Sequence, residues 1–352
     1  MSDLTTTLQQ QVAAAYRAGT PLQLVGGGSK DFYGRTPRGE PLPLAGHSGV
    51  VNYEPRELVL TARAGTTLAE IEALLRRSGQ MLPFEPPHFG DAATLGGTLA
   101  CGLSGPRRPY VGALRDFVLG VRLINGRGEL LHFGGEVMKN VAGYDVSRLM
   151  AGALGTLGVV LEVSLKVLPR PENGLTLVQE RTPEEAILVM NQWAAAPLPL
   201  TAACYDGLRL YVRLEGAPAT LTAGRQRVGG DLLEEGERFW RDLREQRLAF
   251  FETGKPLWRL SVPATAPPVE LAGKQLIDWG GAQRWLVSDA PAAAIREASI
   301  RVGGAATLFR GGDREGEVFQ PLPAPMAALQ RSLKQAFDPA GILNPGRMYR
   351  EF

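Results

Sequence analysis

The spacing of apolar and polar positions predicts a mixed chain. Apolar residues at helical intervals over 4–17, ended by Gly19, give a first amphipathic helix. A short apolar run at 22–25 reads as a strand that empties into Gly26-Gly27-Gly28-Ser29-Lys30. A turn-rich segment leads to strands at 50–53 and 58–63. Thr67-x-x-Glu70 then forms a capping box that opens a helix with Leu68, Ile71 and Leu75 on one face. Strands at 117–124 and 129–133 are joined through Asn125-Gly126, a hairpin signal. A helix over 144–153 and a long β-branched strand over 158–168, closed by Pro169, complete this part.

The character changes at Pro169-Arg170-Pro171, which predicts a domain boundary. Beyond it strands at 175–180, 202–205, 208–214, 258–262, 274–278 and 284–288 are interspersed with helices at 217–228, 234–246 and 291–302. One more helix starts at Thr182-Pro183-Glu184-Glu185, with proline at its first position. This is the pattern of an antiparallel sheet with helices on one face, and the fold class is α+β. A tail helix over 325–337 carries Met326, Leu329, Leu333 and Phe337 in register, then stops at Asp338-Pro339 before Ile342-Leu343-Asn344-Pro345-Gly346-Arg347. The expected organisation is a first domain over 1–169, a second over 170–320, and a C-terminal helix and return over 321–352.

Composition narrows the function classes. With 352 residues the chain is long enough for two cores, and 44% hydrophobic with 21% charged residues is the make-up of a soluble globular protein. A net charge of +2 advertises neither nucleic acid nor anionic membrane as a partner. No apolar run approaches the ~18 residues of a membrane span, and the polar start is no signal peptide. The expected location is cytoplasmic, with any membrane association made through a partner. Cys101 and Cys204 have no metal-ligand spacing and read as reduced, packed thiols; no metal site is expected.

Candidate chemistry is concentrated in the stretch 89–110, where Gly90, Gly96, Gly97, Gly102 and Gly105 fall among Thr94, Thr98 and Ser104. So little side-chain volume builds no core, but it lets backbone N–H groups approach a bulky anion. A glycine-rich surface loop is the plain alternative. The loop 26–30 is a second anion-cradling candidate. Neither has the Gly-x-Gly-x-x-Gly of a Rossmann unit, and no Gly-x-x-x-x-Gly-Lys-Ser/Thr phosphate loop occurs.

In order along the chain, Leu24-Val25-Gly26-Gly27-Gly28-Ser29, Ala62-Arg63-Ala64-Gly65-Thr66-Thr67, Thr94-Leu95-Gly96-Gly97 and Gly155-Thr156-Leu157-Gly158-Val159-Val160 resemble the FAD-binding domain of the vanillyl-alcohol-oxidase (PCMH) type. Asn344-Pro345-Gly346 resembles the C-terminal return of its 2-hydroxy-acid branch. Longer stretches, among them 79–88, 100–109, 115–120, 133–145, 275–281 and 321–325, are similar to the family of smaller flavoprotein subunits of bacterial glycolate oxidase.

That resemblance implies a cofactor, FAD, held without a covalent bond, since the first loop has Ser29 and Lys30 where tethering relatives have histidine. It implies that 26–30 (Gly26, Gly27, Gly28, Ser29, Lys30) and the stretch 94–105 (Thr94, Leu95, Gly96, Gly97, Ala100, Gly102, Ser104, Gly105) hold the pyrophosphate. Gly112 would continue that wall, and Gly158, Val159 and Val160 would hold the adenine side. Asn344 would lie near the flavin ring, the alternative being a plain turn residue before proline. Implied partners are a larger FAD-containing subunit and an iron–sulfur subunit, with glycolate as substrate of the complex and electrons leaving to a membrane acceptor.

The chain departs from the catalytic branch in its histidines: His47, His88 and His132 all precede residue 169, so the His-rich motif of the relatives' second domain is missing. Oxidation of a 2-hydroxy acid wants a base for the hydroxyl proton and a cation for the carboxylate. His88 is the one histidine to consider as base, against a loop-packing role, and no catalytic residue is assigned. Arg209, Arg213 and Arg259 are candidate carboxylate anchors, and Asp206 or Glu215 candidate substitute bases. Arg107 and Arg108 suit a pyrophosphate, a neighbouring subunit or plain solvent. Lys139 and Asn140 suit a flavin-facing turn or an ordinary one. Three readings stand: a subunit that relays electrons or supports assembly, a self-sufficient 2-hydroxy-acid dehydrogenase, and a scaffold that has lost its flavin.

Overall fold

The computed structural model describes residues 2–135 and 145–352. Lys139, Asn140 and the first residue of the helix expected at 144–153 lie outside them. The chain forms two compact units: Met1–Leu103, Ala113–Arg170 and Arg314–Phe352 make the first, Ser104–Gly112 and Pro171–Asp313 the second. The polypeptide therefore enters the second unit twice. Residues 104–112, expected in the first domain, cluster with the second, and 314–320 cluster with the first.

In the first unit β1 (Leu22–Val25) pairs in parallel with β2 (Glu40–Pro43), and the tail adds a parallel bridge between Leu22 and Leu343. The strands β3 (Val50–Glu54), β4 (Val59–Arg63), β6 (Val118–Ile124), β7 (Leu130–Gly134) and β8 (Val159–Lys166) form an antiparallel sheet in the order β3-β4-β8-β6-β7. A two-residue ribbon pairs β5 (Gln80–Met81) with β9 (Leu168–Pro169). Helix Thr5–Ala18 sets Leu8, Val12 and Ala15 against Leu22, Leu42, Ile124, Val159, Leu161, Ile342 and Leu343. One apolar cluster thus gathers the N-terminal helix, strands of both sheets and the C-terminal return, and burial of these side chains fixes where β1 ends.

The helix expected at 144–153 is one turn, Val146–Leu149, capped by Asp145, whose carboxylate accepts the Arg148 N–H at 3.1 Å. Gly152 and Gly155 follow at positive φ, and Leu154 itself has φ 50°. Turns that left-handed backbone requires stop the helix and free 150–158 to line a wall.

The second unit is one antiparallel sheet. Its strands are β10 (Gly174–Glu180), β11 (Leu200–Tyr205), β12 (Arg209–Glu215), β13 (Asp231–Leu232), β14 (Leu257–Ser261), β15 (Lys274–Asp278), β16 (Gln283–Val287) and β17 (Ala305–Arg310), in the order β13-β10-β12-β11-β15-β16-β14-β17. Leu177 packs with Ile187, Met190 and Leu221 of the helices Pro183–Ala194 and Pro218–Val228. Its neighbour Thr176 points the other way and accepts the Trp240 indole N–H, 2.9 Å, from helix Gly236–Arg244. Helices therefore cover both faces, correcting the expectation of one. The sequence marked these helices by their periodicity or caps, but nothing in it assigns a helix to a side of the sheet.

Helix Ala324–Phe337 ends the chain's regular structure. Met326 and Leu329 stay 45% and 53% exposed, so the apolar seam expected there is not what seats the helix. A buried polar hub does. Lys334 Nζ donates to the Thr156 and Leu343 carbonyls and to Asp338, each within 2.8 Å, while Asp338 accepts the N–H groups of Ile342 and Leu343. Every donor is matched, which is what a buried charge pair requires.

Candidate functional site

Within the first unit, β1, the helix Leu95–Cys101, the turns at 150–158 and the return at 344–347 line a cavity open to solvent, with ≈ 890 Å³ of empty space when its mouth is counted. Of the residues expected to bind cofactor, Gly26, Gly27, Gly28, Ser29, Lys30, Thr94, Gly96, Gly97, Ala100, Gly158, Val160 and Asn344 line it. Leu95 and Val159 are buried in the core, and Gly102 ends its helix in the left-handed conformation. Ser104, Gly105 and Gly112 belong to the second unit. The cavity also meets Leu24, Asp31, Leu44, Ala64, Cys101, Met150, Ala153, Leu154, Gly155, Leu157 and Arg347, which the motifs did not single out as contacts.

The two glycine segments do different work. At the end of β1 the chain passes so close to residue 92 that a Cβ on Gly27 would fall almost onto the Ala92 carbonyl oxygen. Gly28 turns the loop at φ 73°, and the Gly28 carbonyl accepts the Asp31 N–H at 3.1 Å. Among the described residues no acceptor takes the N–H of Gly26, Gly27, Gly28 or Ser29. Consecutive N–H groups left open beside a cavity are an anion nest. The Lys30 ammonium closes the loop from behind, donating to Ser29 Oγ (3.3 Å) and the His88 carbonyl (3.1 Å).

The start of helix Leu95–Cys101 has no such donors to offer. The N–H groups of Leu95 and Gly96 go to the carbonyls of Thr66 (2.9 Å) and Ala64 (2.7 Å), and that of Gly97 goes to Thr94 Oγ1 (3.2 Å), the N-cap. Gly96 is needed because its Cβ would lie 2.7 Å from the Ala64 Cβ. A Cβ on Gly97 would touch, within 4 Å, only the Thr94 hydroxyl, so a side chain there has the cavity as its room. The stretch shapes the wall and takes no anion on its first N–H groups.

The C-terminal return closes the opposite side. Asn344 Oδ1 accepts the Leu24 N–H (2.8 Å) and Nδ2 donates to the Leu154 carbonyl (2.7 Å). Asn344 and Leu154 both lie in the left-handed region, at φ 42° and 50°. Two non-glycine residues held there, joined by one hydrogen bond at a cavity wall, mark backbone set by the site. Arg347 donates to the carbonyls of Asp31 and Arg35.

The three histidines are placed elsewhere. His47 is buried, its Nδ1 accepting the Leu4 N–H at 3.0 Å, and burial pushes its pKa below the ordinary 6.5. His88 Nε2 lies 3.1 Å from Glu72 and does not line the cavity; His132 is exposed on β7. Cys101 is a half-buried thiol at the wall. Cys204 is fully buried, its thiol pushed up by desolvation, and no metal-binding cluster occurs among the described residues.

In the second unit, Asp206 is the core of a hairpin turn, accepting the N–H groups of Leu208 and Arg209 and the Tyr211 hydroxyl. Glu215 is held between Arg107 and Arg213. Neither carboxylate is placed to act as a base. The Trp279 indole donates to the Gly105 carbonyl (3.0 Å) and stacks under Arg108 at 4.1 Å, which locks 104–112 onto this unit. Arg213 is tied to Thr201, Arg259 stacks over Phe309, and Arg209 is exposed.

A glycine cradle, a wall of small residues and a C-terminal return are the parts of an FAD-linked oxidase. A family model for the FAD binding domain matches residues 5–134, and one for the C-terminal domain of FAD linked oxidases matches 316–348. The chain is 51% identical to the glycolate oxidase subunit GlcE of Escherichia coli over 99% of its own length and 98% of that protein. It belongs to the GlcE family of glycolate oxidase subunits. The glycolate oxidase subunit GlcD of Bacillus subtilis is 30% identical over 46% of this chain and 35% of its own. Among solved structures, alkyldihydroxyacetonephosphate synthase has the same fold, with a TM-score of 0.68 at 16% identity over 97% of this chain and 75% of that one. The cofactor of the family is FAD, and the chain is an FAD-dependent oxidoreductase subunit.

Proposed function

We propose that the first unit binds FAD without a covalent bond, its pyrophosphate on the loop 26–29, and that the chain relays electrons within a glycolate-oxidising assembly rather than oxidising glycolate alone. The observation that carries the cofactor placement is the row of four open N–H groups at the end of β1, in a loop that lines the cavity. Ser29 and Lys30 offer no histidine for a tether. FAD, once bound, supplies an acceptor for two electrons that can leave one at a time. This chain's residues hold and orient it: Asn344 fixes the strand end and the 154 turn against each other, and the Gly155 and Gly158 turns keep that wall thin.

The relay role is supported by the residue types at hand. Among the described residues the cavity is lined by no histidine and by one carboxylate, Asp31, which sits in the proposed pyrophosphate loop; in the second unit Asp206 and Glu215 are spent on a turn and an ion pair. Turnover of a small hydroxy acid needs both an anchor and a base. The partners in this reading are a larger FAD-containing subunit and an iron–sulfur subunit, met in the cytoplasm and, through them, at the inner face of the membrane. No helix among the described residues is long and apolar enough to cross a membrane.

One preparation tests both halves. Acid precipitation of flavin-loaded protein should release all the yellow colour into the supernatant, and colour in the pellet would refute the noncovalent reading. Anaerobic stopped-flow mixing with glycolate should leave the flavin oxidised; bleaching at the turnover rate of the whole assembly would place a catalytic site in this chain.

A further inference from the structure

Beside the cavity, three arginines of the first unit are tied into one knot, and their hydrogen bonds go to carbonyls. Arg347 donates to the carbonyls of Arg35 and Asp31, Arg35 to those of Gly346 and Gly316, and Arg314 to those of Phe32 and Gly34. Arg35 and Arg347 are only 6% and 8% exposed, and neither has an ion-pair partner among the described residues. Carbonyl oxygens replace the water around a guanidinium without neutralising it, and for Arg347 the Asp31 carboxylate supplies only part of the opposite charge, since burial still lowers its pKa. Burial holds both Arg347 and Arg314 below the ordinary arginine range; the Arg347 charge lowers Arg314 further, while Asp31 partly offsets the burial of Arg347. Of the three, Arg347 is the one that lines the cavity.

From this geometry we infer that Arg347 is a counter-charge the cavity presents to its cofactor from the C-terminal return, in addition to the one on the Lys30 loop, and that it selects the negatively charged dinucleotide over an uncharged flavin. The inference rests on the FAD reading above. The open N–H groups of 26–29 offer partial charges; Lys30 and Arg347 are the two full positive charges that line the cavity, and Arg347, on the return, is already desolvated and oriented by two carbonyls. The negative charge it meets is carried by the phosphates or, after reduction, by the flavin ring.

The experiment uses full-length protein stripped of flavin, as wild type, R347Q and R347K. FAD and riboflavin are titrated by flavin fluorescence, the reduction potential of bound FAD is measured against dyes, and the flavin-free forms are melted. Loss of one charge-assisted contact should weaken FAD roughly 10- to 100-fold in R347Q. R347K should recover most of that loss, and riboflavin should bind all three alike. A potential that falls in R347Q and returns in R347K, with FAD affinity unchanged, would place the counter-charge at the ring and overturn the selection of the dinucleotide. FAD affinity and potential both within about twofold of wild type in R347Q would overturn it. So would an R347K protein that melts like wild type yet loses FAD as badly as R347Q, since shape and not charge would then be the cause. If R347Q does not fold, the R347K comparison alone decides. Wild type that takes up no FAD would instead sink the flavin reading itself.

Discussion

The loop 26–30 and the stretch 94–102 are near twins as sequence, short, rich in glycine and flanked by threonine or serine, yet the fold uses them oppositely. The first keeps its N–H groups open. The second spends its first N–H groups on Thr66, Ala64 and Thr94 and contributes shape. Glycine content alone therefore does not identify an anion site; what decides is whether the backbone around the glycines has already found partners. A glycine can be required because a ligand approaches, or because the protein itself does.

Substitutions can break that comparison apart. The largest effect is expected at Gly27→Ala, where a methyl group meets the Ala92 carbonyl; overpacking against backbone that cannot yield should cost several kcal/mol, beyond the ~1–3 usual for cores, and remove soluble folded protein. Gly97→Val comes next and is different in kind. Its branched side chain enters the cavity, so the flavin-free protein should melt within a few degrees of wild type while FAD occupancy is lost. Normal occupancy in that variant would remove the second stretch from the site. Thr94→Ala takes away the N-cap of a two-turn helix and should cost about 1 kcal/mol of stability, seen as a lowered denaturant midpoint, with FAD affinity falling far less than in Gly97→Val.

The smallest effect probes the support behind the second stretch. His47, whose carbonyl accepts the Gly65 N–H, is held neutral by burial, with its pKa below 6.5. The unfolded chain takes up a proton as pH falls through 6.5 and the folded chain does not. The stability His47 lends is therefore complete above 6.5 and lost as pH drops toward the folded value, by at most ~1.4 kcal/mol per pH unit. Thermal midpoints at pH 7.5 and 5.5 should fall more steeply for wild type than for H47Q, whose amide does not titrate in this range. A parallel fall would show that other groups set the acid sensitivity.

Much of the fold was legible because it follows from local chemistry. Thr67 caps its helix by accepting the Glu70 N–H, half of the box expected there, and the Thr182–Glu185 box closes from both sides. The short strands β2, β5 and β9 left no pattern, being two to four residues long and proline-rich or isolated. β17 was hidden between Gly303-Gly304 and Gly311-Gly312, which read as loop. Helix Leu95–Cys101 was hidden by its own two glycines, which lower helix propensity and are tolerated because tertiary bonds hold its first turn. Arg347 followed a motif that pointed to Asn344 but carried no sign of its own, since only packing makes an arginine a buried cavity wall. The assignment of 104–112 to the second unit rests on Trp279, Arg107 and Glu215, whose contacts join residues more than a hundred positions apart along the chain.

The clamp made by Asn344 has a consequence for biosynthesis. Its bonds to Leu24 and Leu154 span 320 and 190 residues, and Arg347 reaches Asp31 across 316. On the ribosome, β1 and the 154 turn therefore emerge long before the residues that lock them, with residues 171–313 of the second unit made in between. The first unit cannot mature as an early, self-contained folding domain, and its closing contacts carry the large loop-closure cost of such separations. Cofactor capture becomes a late event, following synthesis of residues 342–347 rather than accompanying the emergence of the glycine loop.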